Sequence, residues 1–229
     1  MQVTPLAEIP RLGEPESAGQ QEPAPGRRQR KKQLTRDALI QAAIELFVAQ
    51  GYEHTAVREI TDAVDVSERT FFRYFASKED LVLSFTRDGM TAFAEELACR
   101  PPEEEPFAAA RAAFLASLRR LASAEGDLPP HLTVMRLIES TPVLLAAQLR
   151  FIHDHDEEII QALAEREGVD QATDPRPRLL ASIIGATTAL ANRDWLTGDN
   201  QDLHALAAAF DAYADQVIPA LTGHWSAPR

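Results

Sequence analysis

Between Ser67 and Lys78 the chain interleaves Arg69, Arg73 and Lys78 with Phe71, Phe72, Tyr74 and Phe75. A guanidinium fork fits the acceptor edge of guanine or a phosphate, an exposed ring fits a thymine methyl or a deoxyribose, and an ammonium is a point charge for phosphate. At about 100° per residue, Phe71 and Phe75 fall on one side of a helix, Arg69 and Arg73 lie roughly opposite, and Thr70 and Phe72 occupy the flanks. Phe71 and Phe75 are therefore core. Phe72 is a third large aromatic on a short helix whose apolar side is already filled, so it stays partly exposed and needs a partner. Upstream, the run RRQRKKQ at 27–33 supplies Arg27, Arg28, Arg30, Lys31 and Lys32. It reads either as a solvated lead-in to a helix or as an arm lying along phosphates.

This basic and aromatic segment sits in a chain of formal net charge −12. Residues 1–26 carry −3, residues 27–82 carry +1 and residues 83–229 carry −10, and all three lysines fall in the middle block. A polyanion would meet that block and be repelled by the rest. Residues 1–26 combine five Pro and three Gly with few large apolar residues, which predicts a disordered tail. Cys99 is the only cysteine, so no intrachain disulfide forms. No apolar run reaches the roughly 18 residues of a membrane span, and the first residues lack the pattern of a signal peptide, so a cytoplasmic protein is expected.

The elements that would hold the basic segment follow from periodicity. From Thr35, a plausible N-cap, Ile40, Ala43, Ile44, Phe47 and Val48 mark an amphipathic helix closed by Gly51. Thr55 can cap a short second helix whose Val57, Ile60 and Val64 share a face, and DVS at 65–67 breaks it. Ser67 caps a third, with Val66 and Phe71 at the spacing of a hydrophobic staple. Ser77 and Asp80 have capping-box spacing for a fourth helix running to about Ala98. Lys78 in its first turn is unfavourable to the helix dipole, a penalty that a bound phosphate would relieve. Two short helices joined by a tight turn and buttressed by a longer one make a helix-turn-helix. Beyond PPEEEP at 101–106, helical patterns run at about 107–123, 131–139, 142–167, 177–197 and 202–220, so the chain is all-α with about nine helices.

Gly51-Tyr52, the stretch from Thr55 to Ile60, and Ser67 to Leu81 together resemble the TetR family of transcriptional regulators over about residues 35–85. The resemblance implies a homodimer whose helix-turn-helix modules enter successive major grooves of a pseudo-palindromic double-stranded DNA operator. It also implies a C-terminal helical domain that binds a small-molecule effector and dimerises. The expected division is a 1–26 tail, a 27–82 basic arm with the DNA-binding module, and an 83–229 effector and dimerisation domain. Carried over by position, Thr55, Ser67, Arg69, Thr70, Phe72, Arg73, Tyr74 and Lys78 match DNA-contacting positions. Glu68 departs from the small or basic residue usual there; it either accepts from a cytosine amino group or favours the helix N-terminus.

For the effector, Phe93, Phe107, Phe114, Met135, Phe151 and Trp195 lie on or near apolar faces and together could line a mainly apolar cavity. His131, Arg136 and Asn192 are its polar candidates. The HDHDEE run at 153–158 resembles metal ligands, but Leu149, Ile152, Ile159 and Leu163 claim the buried face and leave the acids in water, so no metal is expected. No nucleotide-binding or catalytic motif is present, so neither an enzyme nor a cofactor is expected. In the last two helices Ile183, Ile184, Ala186, Thr187, Leu190, Leu206, Phe210, Tyr213 and Val217 exceed what a terminal hairpin buries, which predicts a four-helix dimer seam. A repressor released by ligand is the first expectation. A constitutive regulator or an activator without an effector is the alternative.

Overall fold

The computed structural model describes residues 27–124, 131–200 and 202–222, which form nine helices with no strand among the described residues. They are α1 (Arg27–Gln50), α2 (Val57–Ala63), α3 (Glu68–Tyr74), α4 (Lys78–Ala98), α5 (Pro106–Ala124), α6 (His131–Ser140), α7 (Pro142–Glu167), α8 (Arg176–Thr197) and α9 (Leu203–Thr222). The 1–26 tail and the side chain of Arg27 lie outside the described residues.

Three boundaries differ from the sequence expectation. Helix α1 begins at Arg27, not at Thr35, because Arg, Lys and Gln are good helix formers and no breaker stands between them and the apolar stripe. Thr35 is mid-helix, its hydroxyl donating to Lys31 O at 3.0 Å. Helix α2 is capped not by Thr55 but at Ala56, whose N–H donates to the Glu59 carboxylate at 2.7 Å. Helix α3 stops at Tyr74, and Phe75 is extended at φ −135°, yet its ring still lies 5.6 Å from that of Phe71.

The turn between α2 and α3 is made by Asp65 at φ 51°, a left-handed conformation that Asp tolerates better than most residues, with Val66 N–H donating to Thr61 O at 3.0 Å. Ser67 and Ser77 cap α3 and α4, their hydroxyls accepting from Thr70 N–H at 3.3 Å and Asp80 N–H at 3.0 Å. One continuous core runs from Leu39, Phe47 and Phe71 through Leu81, Phe93 and Leu97 to Ile138, Trp195 and Phe210. Helix α4 crosses the expected division at 82/83 and packs against both α5 and α7. Helices α6 and α7 meet at a 108° bend around Thr141. Helix α7 ends where Gly168 turns left-handed at φ 66° and Val169 N–H returns to Ala164 O at 3.0 Å. Among the described residues no single helix is long and apolar enough to cross a membrane.

The α8 and α9 surface corrects part of the expected seam. Phe210 is fully buried, 4.0 Å from the Phe114 ring, and Ile184, Thr187 and Leu206 are buried as well, because α9 needs that face to pack on α5 and α8. These residues belong to the core of one chain. The apolar residues left exposed on these two helices include Leu179, Ala186 and Leu190 on α8 and Ala208, Ala212, Ile218 and Leu221 on α9.

Candidate nucleic-acid interface

Helix α3 is locked from beneath. Phe71 is fully buried and Phe75 nearly so, while the Arg36 guanidinium of α1 lies 5.7 Å from the Phe75 ring and ion-pairs with Asp88 of α4 at 3.0 Å. The Asp80 carboxylate accepts from Ala76 N–H at 2.8 Å and from the Arg87 guanidinium, which fixes the turn between α3 and α4. With its underside held, α3 turns Glu68, Arg69, Phe72 and Arg73 outward, and Phe72 is 53% exposed. That combination presents two cations, one acceptor and one apolar ring on a single surface, suited to major-groove edges and the flanking backbone.

Beside this surface an open groove of about 730 Å³ is lined by Arg28, Lys31, Lys32 and Thr35 of α1 and by Arg73 and Tyr74 of α3. Four cations from two helices therefore converge on one concavity, with the Arg73 guanidinium 5.1 Å from the Tyr74 ring. Arg30 is exposed on the same helix. A track of separated positive charges suits a phosphodiester backbone, where each neutralised phosphate releases counterions. Thr35 and the convergence of α1 with α3 were not apparent from the sequence. A solvated basic helix face has no apolar period to mark it.

Two expected contact residues are placed differently. Thr55 is 1% exposed, its hydroxyl donating to Gly51 O at 2.9 Å and accepting from Gln50 Nε2 at 3.2 Å, so its side chain faces inward. Lys78 also turns inward. Its ammonium donates to Tyr52 O at 2.7 Å and Thr55 O at 2.8 Å and lies 4.4 Å from the Tyr52 ring. Desolvation there lowers its pKa. The unfavourable position at the start of α4 is thus answered by two backbone carbonyls of the α1–α2 connection. Replacing Lys78 with Ala should cost about 1–3 kcal/mol of stability, the usual range for a lost charged hydrogen bond. The salt dependence of DNA binding should be unchanged, and a salt slope lower by about one per protomer would restore the phosphate role. Chemical unfolding and salt titrations of duplex binding read the two effects separately.

The candidate effector residues are spread over several contacts. Phe93, Met135 and Trp195 are buried, and the Trp195 indole N–H donates to Asp202 O at 2.8 Å across the α8–α9 turn. The His131 ring lies 6.1 Å from Trp195, Phe114 lies against Phe210, and Asn192 is half-buried. Arg136 faces outward. Phe151 stands at the α4–α7 seam, stacked on His155 at 4.0 Å and 5.4 Å from the Arg87 guanidinium. Gln148 donates to Thr86 at 3.1 Å across the same seam. His153 is exposed, and among the described residues no group of three His, Cys, Asp or Glu could hold a metal ion.

Burial pushes the His131 imidazole down to about 4 from 6.5. The folded state therefore resists a proton that the unfolded chain accepts below about pH 6.5. Stability from this group is present above that pH and lost as pH falls towards 4. Between pH 7 and pH 5 the wild type should lose at most about 2 kcal/mol relative to His131→Gln. Parallel urea titrations of the two proteins check it, and parallel curves would refute it.

Fold and surface together define a helix-turn-helix DNA-binding protein with a helical second half. Family comparison agrees with this. The family described as bacterial regulatory proteins, tetR family, matches residues 39–85, and the MftR C-terminal domain family matches residues 104–218. The chain is 43% identical to the HTH-type transcriptional regulator TcmR of Streptomyces glaucescens over 207 residues, 89% of this chain and 92% of that protein. It is 29% identical to the putative mycofactocin biosynthesis transcriptional regulator MftR of Mycobacterium tuberculosis, covering 80% and 90%. In fold it matches the fatty acid degradation regulator FadR of Bacillus halodurans at a TM-score of 0.53, with 20% identity and coverage of 82% and 97%. It matches Thermus thermophilus FadR in complex with lauroyl-CoA at 0.50, with 23% identity and coverage of 85% and 99%. The chain belongs to the TetR family of transcriptional regulators and carries its DNA-binding helix-turn-helix.

Proposed function

We propose that this protein is a cytoplasmic homodimeric repressor, without catalytic activity, released from a pseudo-palindromic operator by a small, mainly apolar ligand. On this reading residues 27–82 bind DNA and residues 83–229 bind the effector and dimerise. The observation that carries it is the course of α4. Its first turn is bound to the turn after α3 through Asp80 and Ala76, while Phe93 and Leu97 near its far end are buried in the C-terminal core. A ligand wedged against that end would tilt α4 and move α3. Two recognition helices that must sit about 34 Å apart to enter successive major grooves would lose their spacing. Thermus thermophilus FadR is a transcriptional repressor that forms a complex with lauroyl-CoA, whose apolar acyl chain gives a ligand with an apolar group a precedent in this fold.

A preference of about 1–3 kcal/mol for the tilted state releases DNA roughly 5- to 150-fold. The test is a screen of apolar small molecules, with the acyl thioester lauroyl-CoA beside them, for a shift in melting temperature. A duplex-binding titration with each hit at saturation follows. The reading requires weaker DNA binding with ligand and equally weaker ligand binding with DNA. Ligands that bind without changing DNA affinity would instead favour a constitutive regulator.

A further inference from the structure

We propose that Glu68 is a specificity-determining residue that accepts a hydrogen bond from the exocyclic amine of cytosine or adenine in each half-site. This rests on the DNA-binding reading above. The division of labour on α3 points to it. Ser67 and Thr70 are occupied with each other, since the Ser67 hydroxyl caps Thr70 N–H and lies 3.0 Å from the Thr70 hydroxyl. Arg73 belongs to the groove it lines with Arg28, Lys31 and Lys32, and so to the phosphates. Glu68 and Arg69 remain exposed at the N-terminal end of the helix, the part that meets base edges in helix-turn-helix docking, with the exposed Phe72 one turn further on. Among the described residues neither Glu68 nor Arg69 forms an ion pair or a side-chain hydrogen bond, so both are available.

A carboxylate pressed into a groove walled by phosphates is repelled unless it accepts a hydrogen bond there. The major groove offers two such donors, the N4 amine of cytosine and the N6 amine of adenine. Guanine O6 and thymine O4 would meet it as second acceptors. Glu68 therefore discriminates amine-bearing from carbonyl-bearing bases, while Arg69 has the opposite preference, for the two acceptors of guanine. Four residues apart on one face, Glu68 and Phe72 place the acceptor beside the apolar ring. A thymine methyl next to the selected cytosine or adenine would complete the contact.

The experiment is selection from randomised duplexes by the full-length protein and by Glu68→Ala, Glu68→Gln and Arg73→Ala. The wild type should enrich a two-fold symmetric site with one position per half-site restricted to cytosine or adenine. Placing guanine or thymine there should weaken binding roughly 5- to 150-fold. Glu68→Ala should lose the restriction at that position alone and bind unrelated duplexes more tightly. Glu68→Gln, which can accept and donate, should retain adenine and admit guanine or thymine. Arg73→Ala should keep the enriched site and lower the salt slope. If Glu68→Ala enriches the wild-type site unchanged, the proposal fails while DNA binding stands. If the wild type enriches nothing, the proposal and the DNA-binding reading fail together.

Discussion

Replacing Phe210 with Ala should lower stability by about 3–5 kcal/mol and the melting temperature by roughly 6–20 °C. The ring is fully buried and lies 4.0 Å from that of Phe114 at the junction of α5 and α9, so its removal opens a cavity in the core of one chain. With total stabilities of about 5–15 kcal/mol, that loss is a large fraction of the whole. Phe210→Glu would bury an unpaired charge at the same point and leave no folded protein to assay. A residue in a subunit seam behaves differently, giving a folded monomer when charged. Melting followed by circular dichroism, beside sedimentation of Phe210→Ala, separates the two, and an unshifted melting curve would return Phe210 to the seam.

The complementary expectation concerns Ala186, which is exposed on α8 between Leu179 and Leu190. Ala186→Arg should leave each chain folded, because within one chain the new side chain reaches solvent, with the melting temperature lowered only by what dimerisation contributed. If this face is the dimer interface, it should also break the isologous contact, since each guanidinium would be pressed into the partner's apolar surface. Losing one of two linked half-site contacts weakens operator binding on the order of 10²–10⁴-fold with no residue changed in the DNA-binding module. Sedimentation should show monomers at concentrations where the parent is a dimer. An unchanged dimer would move the interface away from this face.

The residues just contrasted show how far the sequence could be read. Periodicity placed Phe71 and Phe75 beneath α3 and left Phe72 exposed, because one apolar stripe on a short helix has a single solution. Helices α8 and α9 are apolar on more than one side, so periodicity alone could not divide Phe210 from Ala186. That division depends on which helix packs on which. Lys78 was legible as an anomaly, a cation in a first turn, but its partners stand 26 and 23 residues upstream and no local pattern announces them. Thr55 was misplaced for a related reason. A Thr at the head of a helix reads as a cap, yet here Glu59 caps the backbone and frees the hydroxyl to close the turn at Gly51. The groove between α1 and α3 was invisible because tertiary packing creates it from two solvated basic faces.

The most direct measurement is nuclease footprinting of the full-length protein on DNA upstream of its own coding sequence, repeated across a range of salt. The expected result is a two-fold symmetric protected segment whose half-site centres lie about 34 Å apart or a multiple of that. Affinity there should fall as salt rises and exceed that for unrelated DNA by about 10³–10⁷-fold. Uniform, salt-sensitive coverage with no bounded segment, on this DNA and on duplexes selected from a random pool, would contradict a sequence-specific regulator.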